Sequence, residues 1–194
     1  MQQEIEAKFL DVDHDEVRGK LQALGATCEQ PMRLMRRVTF DNAAMKAKGG
    51  WIRVRDEGDK VTVTYKQVNK LSADGVFEIE TTAGSFDAMV SIFKQIELAG
   101  GSFQESKRET WQLGDVEVVL DEWPWLKLYI EIEGPSEESI RTAAEQLGFD
   151  WSQAKFGDVM VAYRAEYPHL TEEDTVGNLP EVRFSMPLPD LLQS

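Results

Sequence analysis

Polar and apolar residues alternate with a period of two through most of the first 133 residues, and this pattern constrains the fold more than any other feature. Side chains two residues apart lie on the same face of a β-strand, so each alternating run predicts one strand. Turn residues such as Asp74-Gly75 and Gly114-Asp115 separate the runs, as in antiparallel hairpins. The predicted strands, roughly eight, are residues 2–10, 34–41, 50–57, 60–67, 75–82, 103–113, 115–122 and 126–133.

Three segments with helical periodicity interrupt these strands. They cover residues 13–24, 85–98 and 136–147, and each ends at or near glycine, which commonly follows a helix C-terminus. Residues 152–166 predict a further short helix that would carry Lys155. A helix followed by three strands occurs twice, which favours two similar halves. The predicted fold class is α+β, a closed or nearly closed eight-stranded antiparallel β-barrel with helices packed outside.

The composition changes after Pro168, where the chain becomes acidic and rich in proline. We therefore divide the sequence into a barrel domain, residues 1–167, and a C-terminal tail, residues 168–194. The tail is expected to wrap the surface, to form a lid or to fray.

Charge and length exclude several classes of function. The 194 residues carry a formal net charge of −14, which repels nucleic-acid backbones and anionic membranes, so neither is an expected partner. No apolar run approaches the ~20 residues of a membrane-spanning helix, and the N-terminus lacks a basic and apolar leader. A single cysteine, Cys28, cannot form an internal disulfide and suits a reducing compartment. We expect a cytoplasmic protein.

The charged residues of the alternating runs are sorted by sign. Glu4, Glu6 and Lys8 share one face of the first predicted strand, and apolar residues share the other. Arg53 and Arg55 share a face of a later strand. Other charges on polar faces are Lys66, Glu78, Glu80, Arg108, Glu117, Asp121, Glu131 and Glu133. For any single strand, exposure of its polar face to solvent is the ordinary explanation.

A different explanation applies if the apolar faces pack outward against the helices. The polar faces then converge inside the barrel, and a barrel of about eight strands can hold one small ligand. Such an interior should be hydrated and occupied, because unpaired buried charges are costly. A polyphosphate with Mg²⁺ or Mn²⁺ suits both signs, since carboxylates bind hard cations whereas guanidinium and ammonium groups bind phosphate oxygens.

The string EIEAKF at residues 4–9 resembles the ExExK signature of the CYTH superfamily, the triphosphate tunnel metalloenzymes. Other segments follow in the order of that family, namely WIRVRDEG at 51–58, VTYKQ at 63–67, FEIE at 77–80, SKRETW at 106–111, VVLDEWP at 118–124 and YIEIEG at 129–134. The resemblance covers about residues 2–165 and implies an eight-stranded antiparallel barrel that forms a tunnel. The family includes class IV adenylyl cyclases, thiamine triphosphatases and inorganic triphosphatases.

The resemblance also implies roles for individual residues. The implied metal ligands, for Mg²⁺ or Mn²⁺, are Glu4, Glu6, Glu131 and Glu133, assisted by Asp121 and supported by Glu78 and Glu80. The implied triphosphate-binding residues are Lys8, Arg53, Arg55, Lys66 and Arg108, with Lys127 and Lys155 as further candidates. Catalysis would depend on Glu4, Glu6 and Lys8. By analogy with cyclase-like relatives, a homodimer is as reasonable as a monomer.

Two positions depart from the family pattern. Ser106 stands where many relatives have a second base, and Met35-Arg36-Arg37 replaces a polar and acidic stretch. The expected activity is metal-dependent hydrolysis of a small triphosphate, which would be inorganic triphosphate, thiamine triphosphate or a nucleoside triphosphate. Two alternatives stay open, an adenylyl cyclase that converts ATP to cyclic AMP and pyrophosphate, and a non-catalytic sensor that binds a polyphosphate or nucleotide.

Overall fold

The computed structural model of the protein describes residues 2–193, and within them the chain forms a mixed α+β fold around one large sheet. The strands are β1 (Gln2–Glu4), β2 (Glu6–Leu10), β3 (Thr27–Asp41), β4 (Gly50–Asp56), β5 (Val61–Val68), β6 (Val76–Ala83), β7 (Ala99–Leu113), β8 (Val116–Glu122), β9 (Tyr129–Glu133) and β10 (Glu181–Val182). The helices are α1 (His14–Ala23), α2 (Ala43–Lys46), α3 (Phe86–Gln95), α4 (Glu137–Gln146) and α5 (Met160–Glu166). Among the helices of this described range, none has the length and apolar character that a bilayer crossing requires.

The sheet confirms the predicted barrel only in part. Neighbouring strands bond in the order β1-β6-β5-β4-β3-β7-β8-β9-β2, and β10 adds to β7. Apart from the parallel β10–β7 pair, the pairs are antiparallel. The sheet is not closed, because the strands at its two ends, β1 and β2, are not paired with one another in the described range. These two strands are consecutive in the chain and separated by Ile5. The N-terminal segment instead pairs with β6 through β1 and with β9 through β2.

The helices predicted from periodicity correspond to α1, α3 and α4. Side chains cap their N-termini as expected, and Asp13 accepts backbone hydrogen bonds from Asp15 and Glu16 at the start of α1. The helix predicted over 152–166 is wrong in its first half. Gly157 has a φ of +115°, a conformation that interrupts a helix, and α5 begins only at Met160.

The apolar faces of the strands pack outward against the helices. Leu21 of α1 and Ile140 of α4 are fully buried in one cluster with Ile130 and Ile132 of β9. A second cluster joins α3 to β3 and β4. Because side chains alternate along a strand, this packing turns the polar faces of the same strands toward the interior.

The C-terminal tail is packed into the fold. Val176, Val182 and Leu192 are buried in a cluster with Trp123 and Tyr163. The strand β10 lies beside β7, with Val182 opposite Gln104. This packing agrees with a tail that wraps the surface or forms a lid, because Thr175, Val176 and Gly177 also line the space between the strands. The division of the chain at residue 168 stays a prediction.

Candidate functional site

A cavity of about 890 Å³ lies where the polar faces of the strands meet. It is lined by most of the site residues predicted from the sequence. These are Glu4, Glu6, Lys8, Arg53, Arg55, Lys66, Glu78, Glu80, Arg108, Glu131 and Glu133. We call this space the central cavity, and its charges form several groups.

Lys8 is surrounded by carboxylates. Its Nζ lies 2.6 Å from Oε1 of Glu6 and 3.2 Å from Oε1 of Glu131. The second contact follows from the register of the sheet, in which Lys8 of β2 lies opposite Glu131 of β9. Burial by itself would lower the pKa of Lys8, but the two carboxylates raise it above its ordinary value. Lys8 is therefore a fixed positive charge at neutral pH.

Arg108 is also held by two acids. Its Nε lies 2.8 Å from Oδ1 of Asp121, and its Nη2 contacts both Oδ2 of Asp121 and, at 2.7 Å, Oε2 of Glu131. Asp121 lies opposite Arg108 in the β7–β8 register, where it is buried behind the guanidinium. Burial would raise the pKa of Glu131, but Lys8 and Arg108 lower it well below its usual range. Asp121 and Glu131 are thus neutralised by bases of the protein itself.

Lys66 of β5 pairs with acids of β6 and β1, the two strands beyond it at one end of the sheet. Its Nζ lies 2.7 and 2.8 Å from the two carboxylate oxygens of Glu4, and 3.4 Å from Oε2 of Glu78. Glu78 is the register partner of Lys66 on β6, and Glu4 reaches the same lysine from β1 on the far side of β6. Burial raises the pKa of Glu4 even though Lys66 opposes the shift.

Carboxylates are crowded on three adjacent strands. Glu133 of β9 lies opposite Glu6 of β2 on one side and opposite Glu117 of β8 on the other. The side chain of Glu133 is exposed. Partial desolvation of its carboxyl group, followed by the charges of Glu4, Glu6 and Glu117, nevertheless raises the pKa of Glu133 to about 7. Like charges at this spacing repel, and a bound cation would relieve that repulsion.

The carboxylates do not form a ready-made metal site. Within residues 2–193, no group of three or more His, Cys, Asp or Glu side chains is arranged to hold an ion. Glu4 and Glu6 instead bond to Lys66 and Lys8. The donor chemistry nevertheless suits a hard divalent cation, because carboxylate oxygens are the ligands that Mg²⁺ and Mn²⁺ prefer.

Arg53 has only a long contact with an acid among the described residues. Its Nη2 donates to Oγ1 of Thr64 at 3.1 Å and lies 3.4 Å from Oε2 of Glu80, while its buried Nε has no partner among the described residues. Burial, followed by the neighbouring charge of Arg55, lowers the pKa of Arg53 to about 10. Arg55 by contrast forms a close pair with Glu57, at 2.6 Å from Nη2 to Oε1. An anion in the cavity would stabilise Arg53.

Two of the predicted lysines do not reach the central cavity, so their expected placement is wrong. Lys127 precedes β9 on the surface, and its Nζ lies 2.8 Å from Oδ2 of Asp11. Lys155 is held in an extended bridge, in which its backbone N–H and C=O bond to Lys8 at 2.9 Å. Its side chain lines a separate outer groove beside Phe149 and Gln153.

The cavity also contains charged residues to which the sequence analysis assigned no role in a site. Arg37 enters it from β3, and Glu117 enters it from β8. The alternation of the strands predicts both positions. Glu117 shares a face with Asp121, and Arg37 lies on the face of β3 opposite to Val38 and Phe40, which pack outward. A further acid, Glu57, lies between β4 and β5 and pairs with Arg55.

A family model of the CYTH domain matches residues 2–155. None of the curated proteins compared with the chain matches it. The family match spans every strand from β1 to β9 and therefore all the groups of charge described above.

Several solved structures share the fold. A protein of Pyrococcus horikoshii OT3 is 20% identical with a TM-score of 0.71, and the match covers 82% of this chain and 98% of that protein. A Vibrio parahaemolyticus protein proposed to be an adenylate cyclase is 13% identical with a TM-score of 0.71, over 83% of this chain and 97% of that one. A Hippeastrum protein, proposed to be an adenylyl cyclase and described as having a dominant triphosphatase activity, is 19% identical with a TM-score of 0.54, over 84% and 95%. At these identities the similarity establishes a common fold.

Proposed function

Because the chain belongs to the CYTH family, we propose that it is a divalent-metal-dependent hydrolase that binds a small triphosphate in the central cavity. One observation carries the proposal, which is the sorting of charge inside that cavity. Bases with unsatisfied N–H groups, such as Arg53, lie on β3 and β4, whereas carboxylates crowd around Glu133 on β2, β8 and β9. A polyphosphate bound together with a divalent cation would neutralise both groups.

The bases would hold the triphosphate in line for attack. Arg53 would supply a guanidinium fork whose Nε has no other partner, and Arg55 and Lys66 would extend the positive surface. Lys8 stays charged because Glu6 and Glu131 fix its proton. It would offset the negative charge that develops on the phosphoryl oxygens during transfer.

The carboxylates best suited to a cation are Glu4, Glu6 and Glu133. Desolvation and the charges of Glu4 and Glu6 raise the pKa of Glu133, and Glu4 and Glu6 each pair with one lysine. Glu131 by contrast is held by both Lys8 and Arg108, and Asp121 is buried beside Arg108. When bound, Mg²⁺ or Mn²⁺ would polarise phosphate oxygens and favour ionisation of an attacking water. Glu131 and Asp121 would position Lys8 and Arg108 against the ligand.

Hydrolysis is favoured over cyclisation because a cyclase must also seat an adenine base. Trp123, one of the aromatic residues that line the cavity, is only 5% exposed, and the guanidinium of Arg37 already covers its face at 4.5 Å, so this ring is not free to stack on a base. The Hippeastrum protein supports this choice, since its description as a triphosphatase shows that the fold can carry the reaction. We therefore propose water as the nucleophile.

A product assay tests the proposal. The purified protein is incubated with Mg²⁺ or Mn²⁺ and, in parallel, with inorganic triphosphate, thiamine triphosphate and ATP. Orthophosphate release without cyclic nucleotide is the expected result. Cyclic AMP and pyrophosphate from ATP would make the protein a cyclase, and metal-dependent binding without turnover would make it a sensor; either outcome would overturn the proposal.

Glu133→Gln is expected to flatten the pH dependence of cation binding. In the wild-type protein the pKa of Glu133 is raised to about 7, so the charge that attracts a cation develops as the pH rises through that value. The affinity for Mg²⁺, measured by calorimetry, should therefore increase between about pH 6 and pH 8 in the wild type and much less in the variant. Glu145→Gln, an exposed change on α4, is the control.

In the absence of a cation, Glu133→Gln is expected to stabilise the folded protein at about pH 8. Since folding raises the pKa of Glu133, its protonated form favours the folded state, and this contribution is lost as the pH rises through 7. Glu133→Gln should thus melt at a higher temperature than the wild type at about pH 8, and the difference should shrink as the pH falls. A lower melting temperature at that pH would show that Glu133 is not repelled by its neighbours.

A further inference from the structure

Arg37 is a buried base that forms no ion pair with any acid in residues 2–193. Its side chain extends from β3 into the central cavity, and the residue is only 8% exposed. Its Nη2 donates to Oγ of Ser106 at 2.7 Å, and its guanidinium lies 4.5 Å from the centre of the Trp123 ring. Its buried Nε has no hydrogen-bond partner in the part of the chain that the structure describes. The guanidinium is therefore oriented but not neutralised.

The surroundings of Arg37 make its charge unfavourable in the ligand-free protein. Burial, together with the nearby charges of Arg53, Arg55 and Arg108, lowers the pKa of Arg37 well below its ordinary value, and Asp121 opposes this shift only in part. Arg55 is the direct register partner of Arg37 across the β3–β4 pair. Like charges on adjacent strands destabilise a sheet, so the fold alone gives no reason for a second arginine at this point.

Packing against Trp123 does not supply that reason. A cation over an indole ring is favourable, but a methionine or leucine could cover the same ring without burying a charge. A buried arginine with an unsatisfied N–H, in the lining of a cavity shared with Arg53 and Arg108, is instead what an anion-binding site requires. Ser106 and Trp123 fix the position of the guanidinium on two sides.

We propose that Arg37 is a phosphate-binding residue of the central cavity, held in place by Ser106 and Trp123. This inference rests on the proposed function, because the anion it would bind is the triphosphate. Its role differs from that of Arg108, whose fork is occupied by Asp121 and Glu131. Arg37 would contribute a charge that is not already paired with an acid of the described part of the chain.

Binding of inorganic triphosphate, measured by calorimetry on the full chain, tests the assignment. Arg37→Ser is expected to weaken binding by about 10- to 100-fold, the usual effect of losing a charge-assisted hydrogen bond. Arg36→Ser is the matched control, since Arg36 is the next residue on the same strand but points outward and pairs with Asp56 at 2.9 Å. That control should bind triphosphate as the wild type does.

An exchange of the two contacting residues separates binding from structure. In the double variant Arg37→Ser with Ser106→Arg, the base is returned to the same point from β7 instead of β3. Most of the lost affinity should return, because Ser106 Oγ lies 2.7 Å from the group that is removed. If Arg37 acted only by supporting the structure of β3, an arginine at residue 106 would not restore binding. A double variant that recovers no affinity would therefore count against the assignment.

The outcomes distinguish this inference from the proposed function. Equal binding by Arg37→Ser and the wild type would overturn the role of Arg37 and leave the triphosphatase proposal intact. A wild-type protein that binds no triphosphate would overturn both. Loss of folding in Arg37→Ser, seen as a collapsed melting transition, would show that the buried charge is structural and would also reject the inference.

Discussion

Replacing Glu4 by Gln is expected to reduce metal-dependent triphosphate hydrolysis by about a hundredfold or more. The substitution keeps the shape of the side chain but removes a negative charge beside Glu133, where the proposed cation would bind. It also removes the acid that holds Lys66 through contacts of 2.7 and 2.8 Å. Both the cation and one triphosphate-binding lysine would therefore lose their position. Turnover measured against Mg²⁺ concentration is the test.

A carboxylate outside the cavity provides the control for this prediction. Glu16 of α1 pairs with Lys20 at 2.7 Å, so Glu16→Gln breaks a comparable ion pair on the surface. Its activity should equal that of the wild type, because exposed ion pairs contribute little. If Glu4→Gln retained full activity at low Mg²⁺ concentration, Glu4 would have no part in a metal site.

The faces of the strands could be predicted because alternation is a local property. Glu4, Glu6 and Lys8 share one face whatever the rest of the chain does, and the same is true of Arg53 and Arg55. The outward packing of the apolar faces was then enough to bring these residues together in one cavity. Local pattern thus predicted most members of the candidate site.

Pairing between acids and bases could not be predicted, because it depends on register between distant strands. Lys8 meets Glu131 only because β2 pairs with β9, and Glu133 meets Glu117 only because β9 pairs with β8. This register decides which charges are neutralised and which are left for a ligand. Arg108, with its acidic partners Asp121 and Glu131, and Arg53 therefore have different surroundings, although alternation gives them the same interpretation.

Irregular backbone explains the predictions that were wrong. Strand β3 begins at Thr27, whereas the sequence predicted a start at residue 34. The first part of the strand was missed because register shifts between Cys28 and Arg33 break the alternation that marks a strand. Lys155 was assigned to a helix that Gly157 interrupts. The sequence predicted one strand over residues 2–10, but the chain changes its partner from β6 to β9 at Ile5. Nothing in the sequence of this segment marks that point.

Arg53→Met is expected to weaken triphosphate binding strongly while leaving the ligand-free protein at least as stable as the wild type. Folding lowers the pKa of Arg53 to about 10, so its charged form disfavours the folded state at every pH below that value. Methionine fills a similar volume and removes both the charge and the unsatisfied Nε. The melting temperature without ligand should therefore stay the same or rise. The affinity for inorganic triphosphate should fall by about 10- to 100-fold.

This opposition between affinity and stability identifies a residue retained for binding. A structural arginine gives the reverse result, since its removal lowers the melting temperature and leaves ligand affinity unchanged. Arg141→Met on α4, which breaks a surface pair with Glu137 at 2.9 Å, is the control and should change neither quantity appreciably. Arg53→Lys should recover only part of the affinity, because a lysine restores the charge but not the fork. Unchanged triphosphate affinity in Arg53→Met would remove Arg53 from the binding site, and the stabilising effect of an anion there would have to be sought at Arg37 alone.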